Sequence, residues 1–578
     1  MKKLLLFALA VLVSTAAAQP LAPPSGHLAI THVTVIHTHE RNALKDATVI
    51  ITEGRIAWVG PASDAVIPAG TRIVDGSGKY LIPGLIDGHI HFFQSGGLYT
   101  RPDAIDLRST LPYTEELDSV RANIPDVFRR YLRCGITTVA DAGGPMWNFD
   151  LRAAAERSNT APRVFLTGPL IASYQPDALT TDDPPIIKVF SAEEARALVR
   201  RQAAFKPDFI KVWYVVSKRL SLSREDFRPT MEAIVDESRK AGLPVWVHAT
   251  ELETARAAIE AGADVLVHDI TDVEIDDAFI TLARERNVIL VPTLWVFQSY
   301  SLVFAGQYEP TEEELAIADP RILGSLFDTR GMTTAELPER VRALRGRTDL
   351  RAPNPVALRN VQKLHAAGVR IAAGTDAGNI GVLHGPSLFR EFDLMKEAGM
   401  DNYDILVSAT LRGAALVGKE AELGSIEQGK LADLVLLNGD PREDIGRTAD
   451  IFLVMKNGKL FDPDTLLRPS PPDIAQKQLN AYNARNLDAF LSVYHPEVEV
   501  YTFPSTPIYT GREELRRIYG EFFSQATQLH CRLLGRISYN DTVIDREYVT
   551  GVPRQDVVEA VAIYEIIDGL IRKVWFIQ

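Results

Sequence analysis

The stretch Gly84-Leu-Ile-Asp-Gly-His89-Ile-His91 decides the reading of this chain. It is an apolar run ending in two histidines, two positions apart. On a strand such residues point to the same side, so both imidazoles can reach one metal. Other apolar runs end in the same way. Phe209–Trp213 carries Lys211. Val245–Val247 is followed by His248, and Val265–Val267 by His268. Arg370–Ala373 is followed by Gly374-Thr375-Asp376. Further β-branched runs stand at Gly135–Ala140, Arg163–Leu166 and Val288–Pro292, and the run holding the histidines starts at Tyr80. Helical stretches separate most of them. Thr250-Glu-Leu-Glu253 and Ser191-Ala-Glu-Glu194 fit the capping-box pattern, and Gly262 stands where a C-cap glycine belongs. Eight buried strands alternating with helices predict an α/β fold, a closed parallel (β/α)8 barrel over residues 81–421.

In such a barrel the strand ends converge on the C-terminal face, where barrel enzymes keep their sites. A histidine at one strand end is usually a hydrogen-bonded core or surface residue. Asp376 alone reads as a helix cap, and Lys211 alone as an ion-pair partner. The set, in this order and each at a strand end, reads as a metal constellation of His89, His91, His248, His268 and Asp376. Its N/O donors suit zinc and related divalent ions. Metal ligands must be unprotonated, so Lys211 needs modification or is not a ligand.

Outward from this core, two β-rich pieces flank the array. Residues 28–80 hold a hairpin, Ala47–Thr52 and Arg55–Val59, turning at Glu53-Gly54. Residues 422–466 hold Ala432–Leu437 and Ile451–Met455, with Asn457-Gly458 as a hairpin signal. Neither piece buries a core alone, so together they predict one split β-sandwich. Residues 467–472, within the Pro-rich Pro463–Pro472, read as a linker. Residues 473–578 run from helical patterns to long strands, with an Asp568-Gly569 turn, and predict a separate α+β domain.

At the N-terminus, Lys2 and Lys3 precede the apolar run Leu4–Val13, and Ala16-Ala17-Ala18 offers a cleavage site before Gln19. Residues 1–18 match a secretory signal peptide, the run being too short to span a membrane. No cysteine follows the cleavage site, so the expectation is a periplasmic or secreted protein without a lipid anchor or membrane insertion. The chain has 578 residues, 46% hydrophobic and 24% charged, the balance of a globular protein. Two cysteines, Cys134 and Cys531, exclude a disulfide scaffold. A net charge of −13 argues against a nucleic-acid partner.

The sequence resembles the amidohydrolase superfamily, through LIPGLIDGHIHF, DFIKVWY, VWVHAT with AAIEAGADVLVHD, IAAGTDAG and LGSIEQGKLADLVLLNGDP. The similarity covers roughly residues 28–466 and is strongest to imidazolonepropionase-like and Xaa-Pro-dipeptidase-like members. It implies two divalent metal ions, zinc by expectation. His89 and His91 match the ligands of the buried metal, and His248 and His268 those of the second. Lys211 matches a lysine that becomes carboxylated and bridges the two, which removes its charge problem. Asp376 matches a metal ligand that is also the catalytic general base. One departure is that Trp213-Tyr214-Val215 follows the lysine, where many dipeptidase-like members have a Gly-rich loop. A mononuclear site without the Lys211 carbamate is the alternative. Residues 473–578 are similar to the ketosteroid-isomerase-like, polyketide-cyclase-like (SnoaL-like) cone. Tyr501, Tyr539, Tyr564 and Trp575 there either line a pocket or form its core.

The resemblance implies hydrolysis of a C–N amide bond, in a dipeptide or N-acyl amino acid. Water held by two cations has its pKa lowered from 15.7 toward about 7. Asp376 would take its proton and pass it to the leaving nitrogen. A cyclic amide, lactone or ester is the alternative substrate, and a small-molecule-binding scaffold the alternative of another class. Tyr99 and Arg101, in the segment after the first strand, are candidates for holding a substrate carboxylate, or for a loop ion pair. His384 either lines the pocket or caps the helix from Ser387. Asp141 reads as a support of the site or a turn residue. The stretch from Gln298 to Pro355 is a candidate lid. A homo-oligomer is compatible with all of this.

Overall fold

A computed structural model describes residues 26–216, 223–333 and 336–577. The leader expected at residues 1–18 lies outside them. Among the described residues no helix is long and apolar enough to cross a membrane.

The fold is mixed α/β, with parallel strands at its centre. Leu85–Ile90, Ile136–Asp141 and Arg163–Leu166 pair in parallel. Ile210–Trp213, Val245–His248, Val265–Val267, Ile289–Val291 and Arg370–Ile371 follow one another in a second parallel sheet. Backbone hydrogen bonds cross both seams between the two sets. Gly88 N donates to Ala373 O (2.9 Å) and Asp376 N to His89 O (2.7 Å) at one. Asp208 N donates to Leu166 O (2.9 Å) at the other. Two short strands absent from the sequence reading, Leu170–Ala172 and Ile186–Lys188, extend the second sheet beside Ile210–Trp213.

The glycines of the opening stretch allow this closeness. A Cβ on Gly84 would lie 2.0 Å from Thr137 Oγ1, and one on Gly88 2.8 Å from Ala373 O. Any side chain there would push the first strand off its neighbours. Gly84 also divides the run that begins at Tyr80. Tyr80–Pro83 stays with the flanking sheet, and only Leu85–Ile90 joins the central set. The flanking unit therefore reaches past residue 80.

The two flanking pieces meet where Leu434–Leu437 pairs antiparallel with Tyr80–Pro83. They form one eight-stranded sheet, from Lys459–Phe461 at one edge to Arg55–Pro61 at the other. The sheet folds back on itself: Ile56 N donates to Lys430 O (2.9 Å) and Ala432 N to Gly54 O (2.8 Å), so the upstream hairpin meets the downstream piece again. Alternation along its central strands divides two cores. Ile82, Val435 and Leu437 enter the main core, whereas Leu81, Leu434 and Leu436 pack with Ile30, Val49 and Met455. Period-two patterning puts one strand's side chains on both faces. Asn457 (φ 49°) and Gly458 (φ 76°) make the expected hairpin turn.

The helix Leu252–Ala261 departs from its expected start. Its N-cap is Glu251, with no side-chain cap, and Asp272 Oδ1 accepts from Leu252 N (3.0 Å) instead. Ser191 does cap Ala192–Ala203 by accepting from Glu194 N (3.2 Å).

The C-terminal unit is a six-stranded sheet with helices Pro471–Ala484, Leu487–Ser492 and Arg512–Gln525. Pro471 and Pro472 open the first helix behind a Ser470–Asp473 capping box, so the linker is shorter than expected. Strands Tyr494–Thr502 and Thr506–Thr510 escaped the sequence reading. Tyr539 is 78% exposed, so it belongs neither to a core nor to a pocket. Tyr564 is buried, and Tyr501 stacks on Trp575.

The stretch 298–355 contains several short helices. Helix Pro471–Ala484 docks on it. Lys477 Nζ donates to Ala316 O (2.7 Å) and Asn480 Nδ2 to Pro320 O (2.7 Å). Arg330 Nη1 donates to Asn483 O (2.9 Å).

Candidate metal centre

Strand register fixes the site. Trp213 pairs with His248, and His248 with Val267, so the fourth, fifth and sixth strands of the central set end flush. His89, His91, Lys211, His248, His268 and Asp376 gather at these ends. Ligand atoms of His89, His91 and Asp376 lie within 4.8 Å of one another. Asp376 Oδ1 is 3.2 Å from His89 Nε2 and 3.1 Å from His91 Nε2. The His89 and His268 ring centres are 5.3 Å apart, and those of His248 and His268 4.3 Å.

Several of these atoms lack partners where partners are normally required. Both nitrogens of His89, Lys211 Nζ and Asp376 Oδ1 are buried with no hydrogen-bond partner among the described residues. Native proteins pair the large majority of such atoms, and an exception points to a missing ion or water. Histidine nitrogens and a carboxylate are a donor set that a divalent metal accepts, so the residues fit such a group, with Lys211 joining it only once modified.

Charge states agree. Burial, reinforced by Lys211, takes His89 down to about 3. Burial also holds His248 and His268 well below the usual imidazole value. These rings are neutral, as ligation requires. Burial works against the charge of Asp376, but the flanking His89 and His91 outweigh it and hold the carboxyl well below its ordinary value. Desolvation brings Lys211 down to about 7.

The supports are as legible as the cluster. His91 Nδ1 bonds Gly143 O (2.7 Å), which turns Nε2 toward Asp376. Asp141 shapes that turn: it accepts from Gly143 N (3.2 Å) and from Asn148 Nδ2 (2.8 Å). It is at once a turn residue and a support. Asp87 accepts from Thr375 Oγ1 (2.7 Å) and Thr375 N (3.1 Å), tying the strand of His89 to that of Asp376. His268 Nδ1 bonds Thr293 Oγ1 (2.7 Å). His268, Thr293 and Asp376 all have positive φ (75°, 49° and 64°), and such strain clusters at functional sites. Asp141→Ala should therefore lower metal affinity by about 10–100-fold, the usual cost of losing an outer support. Chelator competition measures it.

A cavity of about 640 Å³ opens over the cluster. Arg101 lies on its wall, but as an ion pair: Nε and Nη2 donate to Asp103 (2.8 and 2.6 Å) and Nη1 to Asn379 Oδ1 (2.6 Å). Tyr99 and His384 do not reach it. Tyr99 donates to Asp328 Oδ2 (2.9 Å) and lines a different cavity, as does His384. Both His384 nitrogens are engaged, with Tyr131 Oη and Gln94 O (each 2.8 Å), and it does not cap the helix from Ser387. The sequence reading missed Tyr300, Asn379 and Arg340, which line the metal cavity. It also missed Thr293, a polar residue after an apolar strand that the strand-end rule itself selects. Phe297, Phe304 and Leu344 from the 298–355 region and its entry make the wall largely apolar.

A SnoaL-like domain model matches residues 475–574. An imidazolonepropionase of Streptomyces avermitilis is 26% identical over 420 residues, covering 68% of this chain and 81% of that protein. An adenine deaminase of Ruegeria pomeroyi is 46% identical over 69 residues, and the chain spans only 11% of that protein's length. The crystal structure of a Xaa-Pro dipeptidase with methionine bound in its active site has a TM-score of 0.57 at 25% identity, covering 76% of this chain and 100% of that one. The amidohydrolase family model matches residues 80–461, about two thirds of the length and the whole metal cluster, and the chain belongs to that family.

Proposed function

We propose that this chain is an exported, metal-dependent hydrolase of an amide C–N bond, with Asp376 as its acid–base group and a (β/α)8 barrel as its frame. The observation that carries the reading is Asp376 Oδ1, buried between His89 Nε2 and His91 Nε2 with no hydrogen-bond partner among the described residues. In this reading His89, His91 and Asp376 hold one divalent ion, His248 and His268 hold a second, and Lys211 bridges them as a carbamate. Ions bound there would supply the positive charge that acidifies a water and polarises a carbonyl. Burial brings the Lys211 amine down to about 7, so a substantial share is free base at neutral pH, the form that adds carbon dioxide and loses a proton to give a carbamate. Asp376, held ionised, accepts the proton of the attacking water. It returns that proton to the nitrogen that departs. His91 and His268 keep fixed orientations through Gly143 O and Thr293 Oγ1.

The cavity suits a small molecule with an apolar side chain, and its walls favour a dipeptide or N-acyl amino acid. Arg101 is already paired with Asp103, so it orients a substrate carboxylate only through its remaining N–H groups. Nucleic acid has no place in this reading. A panel of N-acyl amino acids, Xaa-Pro and other dipeptides, hydantoins and lactones tests it. The expected result is metal-dependent turnover of acyclic amides with apolar side chains, abolished by chelation. Turnover confined to lactones or cyclic amides would move the assignment to the other substrate class.

A further inference from the structure

A second cavity, about 390 Å³ in volume, lies between the amidohydrolase unit and the C-terminal domain. Its size falls in the range of small-molecule pockets. Gln94, Glu116 and Asp328 reach it from one unit, and His530 from the other. Apolar walls come from both, Val120 and Ile322 facing Leu479 and Leu533.

The polar groups around it are mostly acceptors with capacity to spare. Gln94 is 3% exposed, and its Oε1 has no partner among the described residues. His530 is 6% exposed, and neither ring nitrogen has a partner there. Burial, with Arg330 and Arg532 nearby, lowers His530 to about 4, so the ring is neutral and offers a lone pair. Glu116 accepts one bond, from Ser95 Oγ (2.6 Å), and Asp328 one, from Tyr99 Oη (2.9 Å). An ionised carboxylate accepts up to about four. Neither carboxylate has an ion-pair partner among the described residues. Burial pushes both upward, Asp328 to about 6 despite Arg532. Of the cations on the wall, Arg130 is bonded to Asp126 and Ile317 O, and Arg321 is largely exposed beside Asp319 (3.5 Å). A cation rich in N–H donors would satisfy the acceptors left open: Gln94 Oε1, the two carboxylates and the lone pair of His530.

We propose that this cavity is a second ligand site, taking a small organic amine or guanidine with an apolar body, its nitrogen held by Glu116, Asp328, Gln94 Oε1 and His530. The site exists only where the two units meet, which gives the C-terminal domain a binding role. Gln94 also borders the metal cavity, three positions after His91. The test must therefore separate the two cavities.

Isothermal titration of the full chain with benzylamine and agmatine provides it, with benzyl alcohol and benzoate as neutral and anionic controls. Both amines should bind, and the controls should bind at least about tenfold more weakly. Glu116→Gln and Asp328→Asn should each weaken amine binding by about tenfold or more, as expected for a lost charge-assisted bond. Asp376→Asn should leave it unchanged. No amine binding at millimolar concentration, or equal binding of benzyl alcohol, would overturn the proposal. So would amine binding lost in Asp376→Asn and kept in the other two variants. Crystals of the unsubstituted protein soaked with 4-bromobenzylamine give an answer independent of variant folding. The bromine peak belongs in this cavity beside Glu116, Asp328 and His530, and a peak elsewhere contradicts the site.

Discussion

Asp376→Asn is expected to lower kcat by about 10²–10⁴-fold, the range for removing a positioned acid–base group. Asparagine keeps the shape of the side chain but removes its charge and cannot carry the proton. The geometry allows little compensation. Asp376 sits at positive φ, with its backbone N bonded to His89 O and its Oδ1 facing two imidazoles. No other carboxylate joins His89 and His91 in a metal-ready group among the described residues. KM should change less than kcat, because the apolar walls that hold substrate remain. Steady-state kinetics on a substrate found in the panel, with metal content measured in parallel, checks the result. A variant with full metal and near-normal kcat would remove Asp376 from the chemistry.

Lys211→Ala is the second large effect. It should cut kcat/KM by about 10²–10³-fold, the cost of losing one charge-stabilising group from a preorganised site. It should also lower the metal content from two ions toward one. The physical reason is burial. Lys211 is 1% exposed, and its Nζ has no hydrogen-bond partner among the described residues. An ammonium left so would be costly, whereas a carbamate gives the buried group a ligand's role. Small carboxylates such as formate or acetate fit the space left by the truncated side chain and should restore part of the activity. Retained two-ion stoichiometry in Lys211→Ala would contradict the bridge, and unchanged activity would make the lysine structural.

Much of this site was legible from one rule, that polar residues following apolar runs share the C-terminal face of parallel strands. The rule selected His248 and His268 because register puts their strands' ends together, and His89 with His91 because alternate strand residues share a side. It was blind to what lies off the strands. Tyr99 follows the first strand closely in sequence, yet its loop turns away to meet Asp328. His384 lies eight positions after Asp376, but its ring is consumed by Tyr131 and Gln94. Proximity in sequence locates a loop's start and not its course. Tyr300 and Arg340 arrive from a long insertion whose path no periodicity encodes. The flanking sheet shows the same division. Its hairpins were read from Asn-Gly and Glu-Gly turns, whereas its joining into one sheet depends on pairing between Leu81 and Leu436, hundreds of positions apart. In the C-terminal domain, Tyr494–Thr502 was missed because His495-Pro496-Glu497-Val498-Glu499 carries few apolar residues, though it pairs with the last strand.

The most direct test is anomalous diffraction from crystals of zinc-loaded protein. Two strong peaks are predicted in the cleft, one beside His89, His91 and Asp376, the other beside His248 and His268, with extra density on Lys211 Nζ between them. An empty cleft, or zinc found only elsewhere while Lys211 remains a bare amine, would contradict the account.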